Sequence, residues 1–415
     1  SGGFAVVNSG TLVLAKASSP SVHAIGASNT TGLTINENGT AKIAGTGGDQ
    51  IYIETHVTVN GTLDLGGLNE GFRGIAGSGT ITNSVPETTS VLTIGQNSVN
   101  SNRYTFDGEF VNGAVDALTG INKVGLGTLV LTGNSTHTGF TDVTNGLLVV
   151  DGSISDSEVY VMDAAILAGN GSLGENLTVS TGGGLGTELL DWDGPAGTGY
   201  SDLSITGSIS FGGGTHTILV NSTSLSNFTE SDRVFSIATT TGGITGFNAE
   251  DFTVNAINFP GNGTWTVRVT GNTLELVYAK AVGYAAWVGT YDLSGSNAEF
   301  DYDYDGDGID NGLEFVLGGD PTLANDVTVP MPVLIGSGAS RTATIEYPRR
   351  SISAYLNPVL ELSDNLDAWN TAVNGANGAS IVVTPNFYAT GLDKVSVTLP
   401  AEGSRGFARI SVTNP

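Results

Sequence analysis

The chain reads as an all-β protein built in three parts. A right-handed parallel β-helix is expected over residues 1–280, a short helical linker over 281–325 and a small antiparallel β-sandwich over 326–415. Three observations predict this. Charged residues make up only 13% of the chain, while glycine reaches 61 of 415 residues, which disfavours helical bundles and favours short strands joined by tight turns. A turn-then-strand motif recurs along the first two thirds. Its pattern then changes twice, near residues 281 and 326.

The recurring motif is a Gly or Asn-Gly turn followed by a short alternating strand. Examples are "NSGTLVLAK" (8–16), "NENGTAKIAG" (36–45), "VNGTLDLGG" (59–67), "GLGTLVLTG" (125–133), "TNGLLVVDG" (144–152) and "GNTLELVYA" (271–279). Alternation puts Leu129 and Leu131 on one face, with polar residues opposite. Strands this short cannot bury an apolar face alone, and stacked coils bury it continuously. The spacing is irregular, so the coil number stays open, and an array of β-sandwiches is the alternative.

One stretch is more specific. "GLGTLVLTGNSTHTGFTDVTNGLLVVDGSI" (125–154) resembles the autotransporter-associated β-strand repeat, G-x-G-T-L-x-L-x-G-x-x-T-Y-T-G-x-T-x-V-x-x-G-x-L-x-V, departing mainly at His137 and Leu147. The segment 186–220 and the pieces "VFSIATTTGGITGF" (234–247) and "TWTVRVTGNTLELVYA" (264–279) are similar to the coils that follow it. The similarity covers roughly residues 120–280, and it implies a secreted β-helical stalk of a bacterial surface, not an activity. The chain starts at Ser1 without a visible signal peptide, and no barrel-forming sequence follows. It is therefore expected to be an exported protein whose signal was removed, and not a complete autotransporter.

Residues 281–325 follow different rules. Tyr284, Trp287, Val288 and Tyr291 have helical spacing, and "DNGLEFVLGG" (310–319) predicts a second short helix with Leu313, Val316 and Leu317 inward and Gly318 as its stop. Beyond it, "RTATIEYPR" (341–349), "NPVLELSDN" (357–365), "SIVVTP" (380–385), "DKVSVTLP" (393–400) and "GFARISVTN" (406–414) read as strands of the small sandwich. This order of parts is similar to the C-terminal region of large secreted bacterial surface proteins.

Between the two helices lies "DYDYDGDGIDNGLEF" (301–315). A calcium loop needs oxygen ligands at positions 1, 3, 5, 7, 9 and 12 with Gly at 6. A start at Asp301 puts Gly312 at position 12, where a carboxylate is required. A start at Asp303 fills every slot: Asp303, Asp305, Asp307, the Ile309 carbonyl, Asn311 and Glu314, with Gly308 at the turn. Asp301 and Asp310 fall outside the cage. The loop resembles dockerin-type and thrombospondin-type single loops, which staple domains, so Ca2+ is the expected cofactor.

Other chemistry is thinly represented. The net charge of −26 comes from 40 acidic and 14 basic residues, which excludes phosphate backbones as partners. There is no cysteine, and no apolar run reaches the roughly 20 residues of a membrane-spanning helix. His23, His56, His137 and His216 stand singly, without zinc spacing. Asp191, Asp193 and Asp202, around Trp192 and Tyr200, are the best candidates for a polysaccharide-active site. Their plainer reading is a solvated loop. Trp265 and Trp369 read as core or strand-edge aromatics.

Three functions follow in order of preference. The first is a non-enzymatic structural protein of the cell surface, a stalk or filament subunit assembling head to tail. The second is an adhesin that binds surface glycans, and the third is a polysaccharide-degrading enzyme.

Overall fold

Short alternating strands satisfy their backbones by pairing with equivalents one coil away, and residues 5–257 do so almost entirely in parallel. The computed structural model describes residues 3–26, 29–47, 49–261, 263–280, 283–327, 330–401 and 406–412. They fall into two compact units: Ser1–Pro260 with Trp265–Ala279, and Gly261–Thr264 with Lys280–Pro415.

The first unit begins with two long parallel strands, β1 (Ala5–Leu14) and β2 (Thr31–Ile43). From Leu118–Lys123 onward each coil gives one strand to each of three sheets, as in Leu118–Lys123, Thr128–Leu131 and Asn134–Ser135. Leu129, Leu148, Leu167, Leu185 and Ile218 occupy matching positions in five successive coils. All are at most 2% exposed, so the alternation seen in the sequence is the core ladder. Each such side chain contributes about 1.5–3 kcal/mol on burial.

Glycine sets one corner of the stack. A Cβ on Gly61 would collide with the Gly39 carbonyl oxygen, one on Gly79 with that of Gly61, and one on Gly108 with that of Gly79. The run continues through Gly133, Gly152 and Gly171, each against the preceding glycine. Only a residue without a side chain allows backbones to approach this closely. From Gly61 onward each of these glycines lies just before a short strand, such as Thr62–Asp64, Asn134–Ser135 or Ser172–Leu173. The Gly-Thr and Gly-Ser recurrences therefore mark the corner.

This glycine run ends at Gly171, because the next rung pairs Ser172 with Ser204 and so sets Leu203 opposite Gly171, and from there coil length changes. Thr128 pairs with Leu147 and Leu147 with Ile166, a repeat of 19 residues. Gly184 pairs with Thr217 and Thr217 with Thr253, repeats of 33 and 36. The longer coils carry extra loops around residues 189–202 and 222–232. These loops stack on each other, because Trp192 N–H donates to the Ser226 carbonyl (3.0 Å) and Asn227 Nδ2 to Asp191 Oδ1 (3.1 Å).

The last of the recurring segments departs from expectation. Thr273–Ala279 runs antiparallel to Arg233–Thr240 instead of forming a parallel coil. Its neighbour in the sheet is Thr264–Thr270, joined to it through Gly271-Asn272, with Gly271 at φ +61°. Two residues suffice for a hairpin but not for the crossover that a parallel strand needs.

The second unit contains α1 (Gly283–Gly289), α2 (Asn311–Leu317) and two antiparallel sheets. One sheet orders its strands Val333–Ile335, Thr342–Arg350, Leu392–Pro400 and Ser380–Ala389; the other orders Asn370–Thr371, Val359–Ser363 and Phe407–Ser411. Residues 413 and 414 of the expected final strand lie outside the described residues. Tyr284, Trp287 and Val288 of α1 meet Phe315 and Val316 of α2 in one apolar cluster. Leu317 enters a second cluster with Ile345, Tyr347, Leu360, Val395 and Val397. Gly318 ends α2 in the left-handed conformation at φ +90°, as its position in the sequence predicts.

Candidate metal centre

The acidic loop folds with a two-residue alternation. Asp303, Asp305, Asp307 and Ile309 are half-buried, whereas Tyr302, Tyr304, Gly306, Gly308 and Asp310 are exposed. The backbone is turned by its own carboxylates: Asp303 Oδ1 accepts from Gly306 N (2.8 Å) and Asp303 Oδ2 from Gly308 N (2.9 Å). Asp305 Oδ1 accepts from Asp307 N (3.1 Å) and Asp307 Oδ1 from Ile309 N (2.9 Å). Gly306 and Gly308 have φ of +78° and +93°, so this wrapping needs the glycines of "DGDG".

This arrangement brings one carboxylate oxygen from each of Asp303, Asp305 and Asp307 within 4.8 Å of one another, a cluster able to hold a metal ion. Glu314 on α2 supplies the fourth acid. It is fully buried, and neither of its carboxylate oxygens has a hydrogen-bond partner. Burial, and then the charges of Asp305, Asp326, Asp307 and Asp303, push its pKa up to about 8. A buried, unpartnered carboxyl facing three others is costly unless a cation neutralises it.

The other expected ligands are placed as follows. Asn311 opens α2 and is fully buried; its Nδ2 donates to the Asn297 and Glu299 carbonyls (both 3.0 Å), leaving Oδ1 without a partner. Ile309 is half-buried beside Asp307. Asp301 and Asp310 are exposed, and the Asp310 carbonyl accepts from Leu313 and Glu314 N–H at the start of α2.

Asp326, exposed and outside the loop register, lies close enough to act on this cluster by charge, on both Asp305 and Glu314. The segment after α2 returns to the loop: Asn325 N donates to Asp307 Oδ2 (2.7 Å), and Asp320 N to Asp326 Oδ2 (2.6 Å). The available signal is a second acidic pair, Asp320 and Asp326, shortly after the glutamate.

The remaining acidic and histidine candidates lie in the first unit. Trp192 is fully buried, within 6.4 Å of Phe228, Phe235, Phe259, Trp265 and Tyr278 by ring centroid. Asp193 pairs with Arg233 (3.4 Å), and Asp202 accepts from Ser236 Oγ (3.0 Å). Burial raises the Asp202 pKa, opposed by that hydrogen bond. His137 is buried with Nε2 2.9 Å from Thr141 Oγ1, and His216 is buried with Nε2 2.8 Å from the Gly212 carbonyl. His56 packs edge-on against Tyr104, and His23 lies against Tyr52 and Asp49. Trp369 is half-buried under Arg409, whose Cζ lies 4.3 Å from the ring centre.

Known proteins match parts of the chain. A 73-residue stretch is 41% identical to an extracellular serine protease of Serratia marcescens, covering 16% of this chain and 7% of that protein. A 99-residue stretch is 30% identical to the adhesin BmaC autotransporter of Brucella suis, covering 23% of this chain and 3% of the adhesin. The chain thus spans a small fraction of either relative. No protein-family profile matches it.

Proposed function

We propose that the chain is a structural protein of a bacterial surface, with a stalk that is a right-handed β-helix and a terminal unit that is a small β-sandwich held by calcium. Right-handed connection is the rule between parallel strands of one sheet. Secretion to the surface is supported by the two relatives, one an extracellular protease and one an autotransporter adhesin.

The observation that carries the calcium reading is Glu314. Calcium favours oxygen donors in an adaptable cage of 6–8 ligands, several of them carboxylate. Asp303, Asp305, Asp307, the Ile309 carbonyl, Asn311 and Glu314 would hold it, with the charge of Asp326 acting on them. When bound, the ion supplies charge neutralisation and no reaction chemistry. It ties the loop to α2, and through Leu317 to the sheets behind it.

Copies join head to tail into a filament or sheath. The outer edge of β1 pairs with no other strand among the described residues, and Phe4, Val6 and Val13 beside it are 71%, 62% and 52% exposed. An open edge of this kind is a template for another strand. Electron microscopy of concentrated protein in calcium tests this: filaments are expected, and single particles at every concentration would refute assembly. A second reading, adhesion, is favoured by the adhesin relative and bears on a groove in the first unit.

A further inference from the structure

The long coils leave a groove on the outside of the solenoid, and we propose that it binds an uncharged oligosaccharide. The groove encloses about 330 Å3, with the sheet containing Thr128–Leu131 and Gly146–Val150 as its floor and the extra loop around 189–202 as one wall. It is separate from the metal centre, and the proposal does not depend on filament assembly.

The wall is tied down at several points, which favours a preformed binding site. Trp192 anchors it in the aromatic cluster, with its Nε1 donating to Ser231 Oγ (3.0 Å). Gly199 O accepts from Leu190 N and Asp191 N at 2.8 and 2.9 Å. Asn170, on the groove rim, clamps the wall from the neighbouring coil: Nδ2 donates to Gly197 O (2.9 Å) and Oδ1 accepts from Asp202 N (3.3 Å). The residues lining the floor come from strands of one parallel sheet, so an insertion between strands over a regular sheet makes the cavity.

The lining selects the ligand class. Leu147, Val149 and Leu219 form a flat aliphatic floor beside the half-buried ring of Tyr200, suited to the apolar face of a pyranose. Asp151 and Glu188 are exposed at the rim, and Asn221 Nδ2 reaches Glu188 Oε1 at 3.5 Å. Carboxylates and carboxamides are the usual partners of sugar hydroxyls, which both donate and accept. Two carboxylates face one cation in the lining, Arg103, so phosphates and uronates are disfavoured. The strands of the floor already have neighbours on both sides, so a peptide cannot be added there as a strand.

The test is binding of the full chain to an array of neutral, amino-sugar and uronate oligosaccharides. Retention of neutral glycans is expected. The double variant Asp151→Ala/Glu188→Ala should weaken it at least tenfold, and Ala168→Trp, whose new ring fills the floor from an outward position, should abolish it. Both variants should melt with the parent protein. Failure of the wild type to retain any neutral glycan, a preference for uronates, or binding unchanged in both variants would overturn the proposal.

Discussion

The two units use strands and charge in opposite ways. In the first, nearly every pairing is parallel and spans one coil, and the buried acids Asp64 and Glu70 sit in separate hydrogen-bonded places. In the second, the sheet pairings are antiparallel, and three carboxylates converge, coupled by charge to Glu314 and Asp326. The first unit is specified by what its backbones touch, the second by which side chains it gathers. A repeat can be held by steric exclusion at a glycine corner, because each coil repeats the same contact. A single loop has no such repetition, so its conformation rests on individual ligands.

That contrast can be broken from either side. The largest effect is expected from Gly133→Val, which forces a branched side chain onto the Gly108 carbonyl. The loss should be about 5 kcal/mol or more, since the backbone on both sides is fixed. Calorimetry should then show the first unit's transition gone and the second's in place. Calcium removal should do the reverse. An ion present at a thousand times its dissociation constant stabilises by about 4 kcal/mol, and Asp305→Ala should give a similar drop. A second-unit melt that ignores exhaustive chelation would sink the metal reading.

Proton linkage sharpens the comparison inside the first unit. Glu70 is 3% exposed, and burial pushes its pKa from 4.5 up to about 8, against hydrogen bonds from Gly71 and Gln50 N–H. Folded Glu70 keeps its proton where unfolded Glu70 has lost it. Its contribution is full below pH 4.5 and is lost as pH rises toward 8, on the order of 5 kcal/mol. Glu70→Gln should flatten that decline in pH-dependent denaturant melts; an identical slope would refute it.

Smaller effects follow. Lys123 is 1% exposed and donates to the Val124, Gly125 and Asn145 carbonyls at 2.8–2.9 Å. Lys123→Met should cost about 2–3 kcal/mol through the stranded acceptors, read from the first unit's melt. Asp310→Asn, outside the cage, should change stability by less than about 0.5 kcal/mol and leave the chelation response intact.

What could be read from the sequence follows the same division. Leu129 and Leu131 declared their face by period two, and Gly318 declared the end of α2. Asp303, Asp305 and Asp307 were legible because their spacing is local. Asp326 was not, because it reaches the cluster only when the chain folds back after α2. The reversal at Gly271-Asn272 was hidden because Thr273–Ala279 keeps the same alternation as a parallel strand. The wall of the groove was equally hidden, since an insertion looks like any other loop until the pairing of Gly184 with Thr217 shows that 33 residues separate adjacent rungs.

Because a coil of 33 or 36 residues returns to the same ladder as one of 19, what happens between ladder positions does not disturb the rungs above and below. Framework and display are uncoupled. Such a chain can exchange the loop over its flank, and with it whatever the loop recognises, while every neighbouring rung keeps its address.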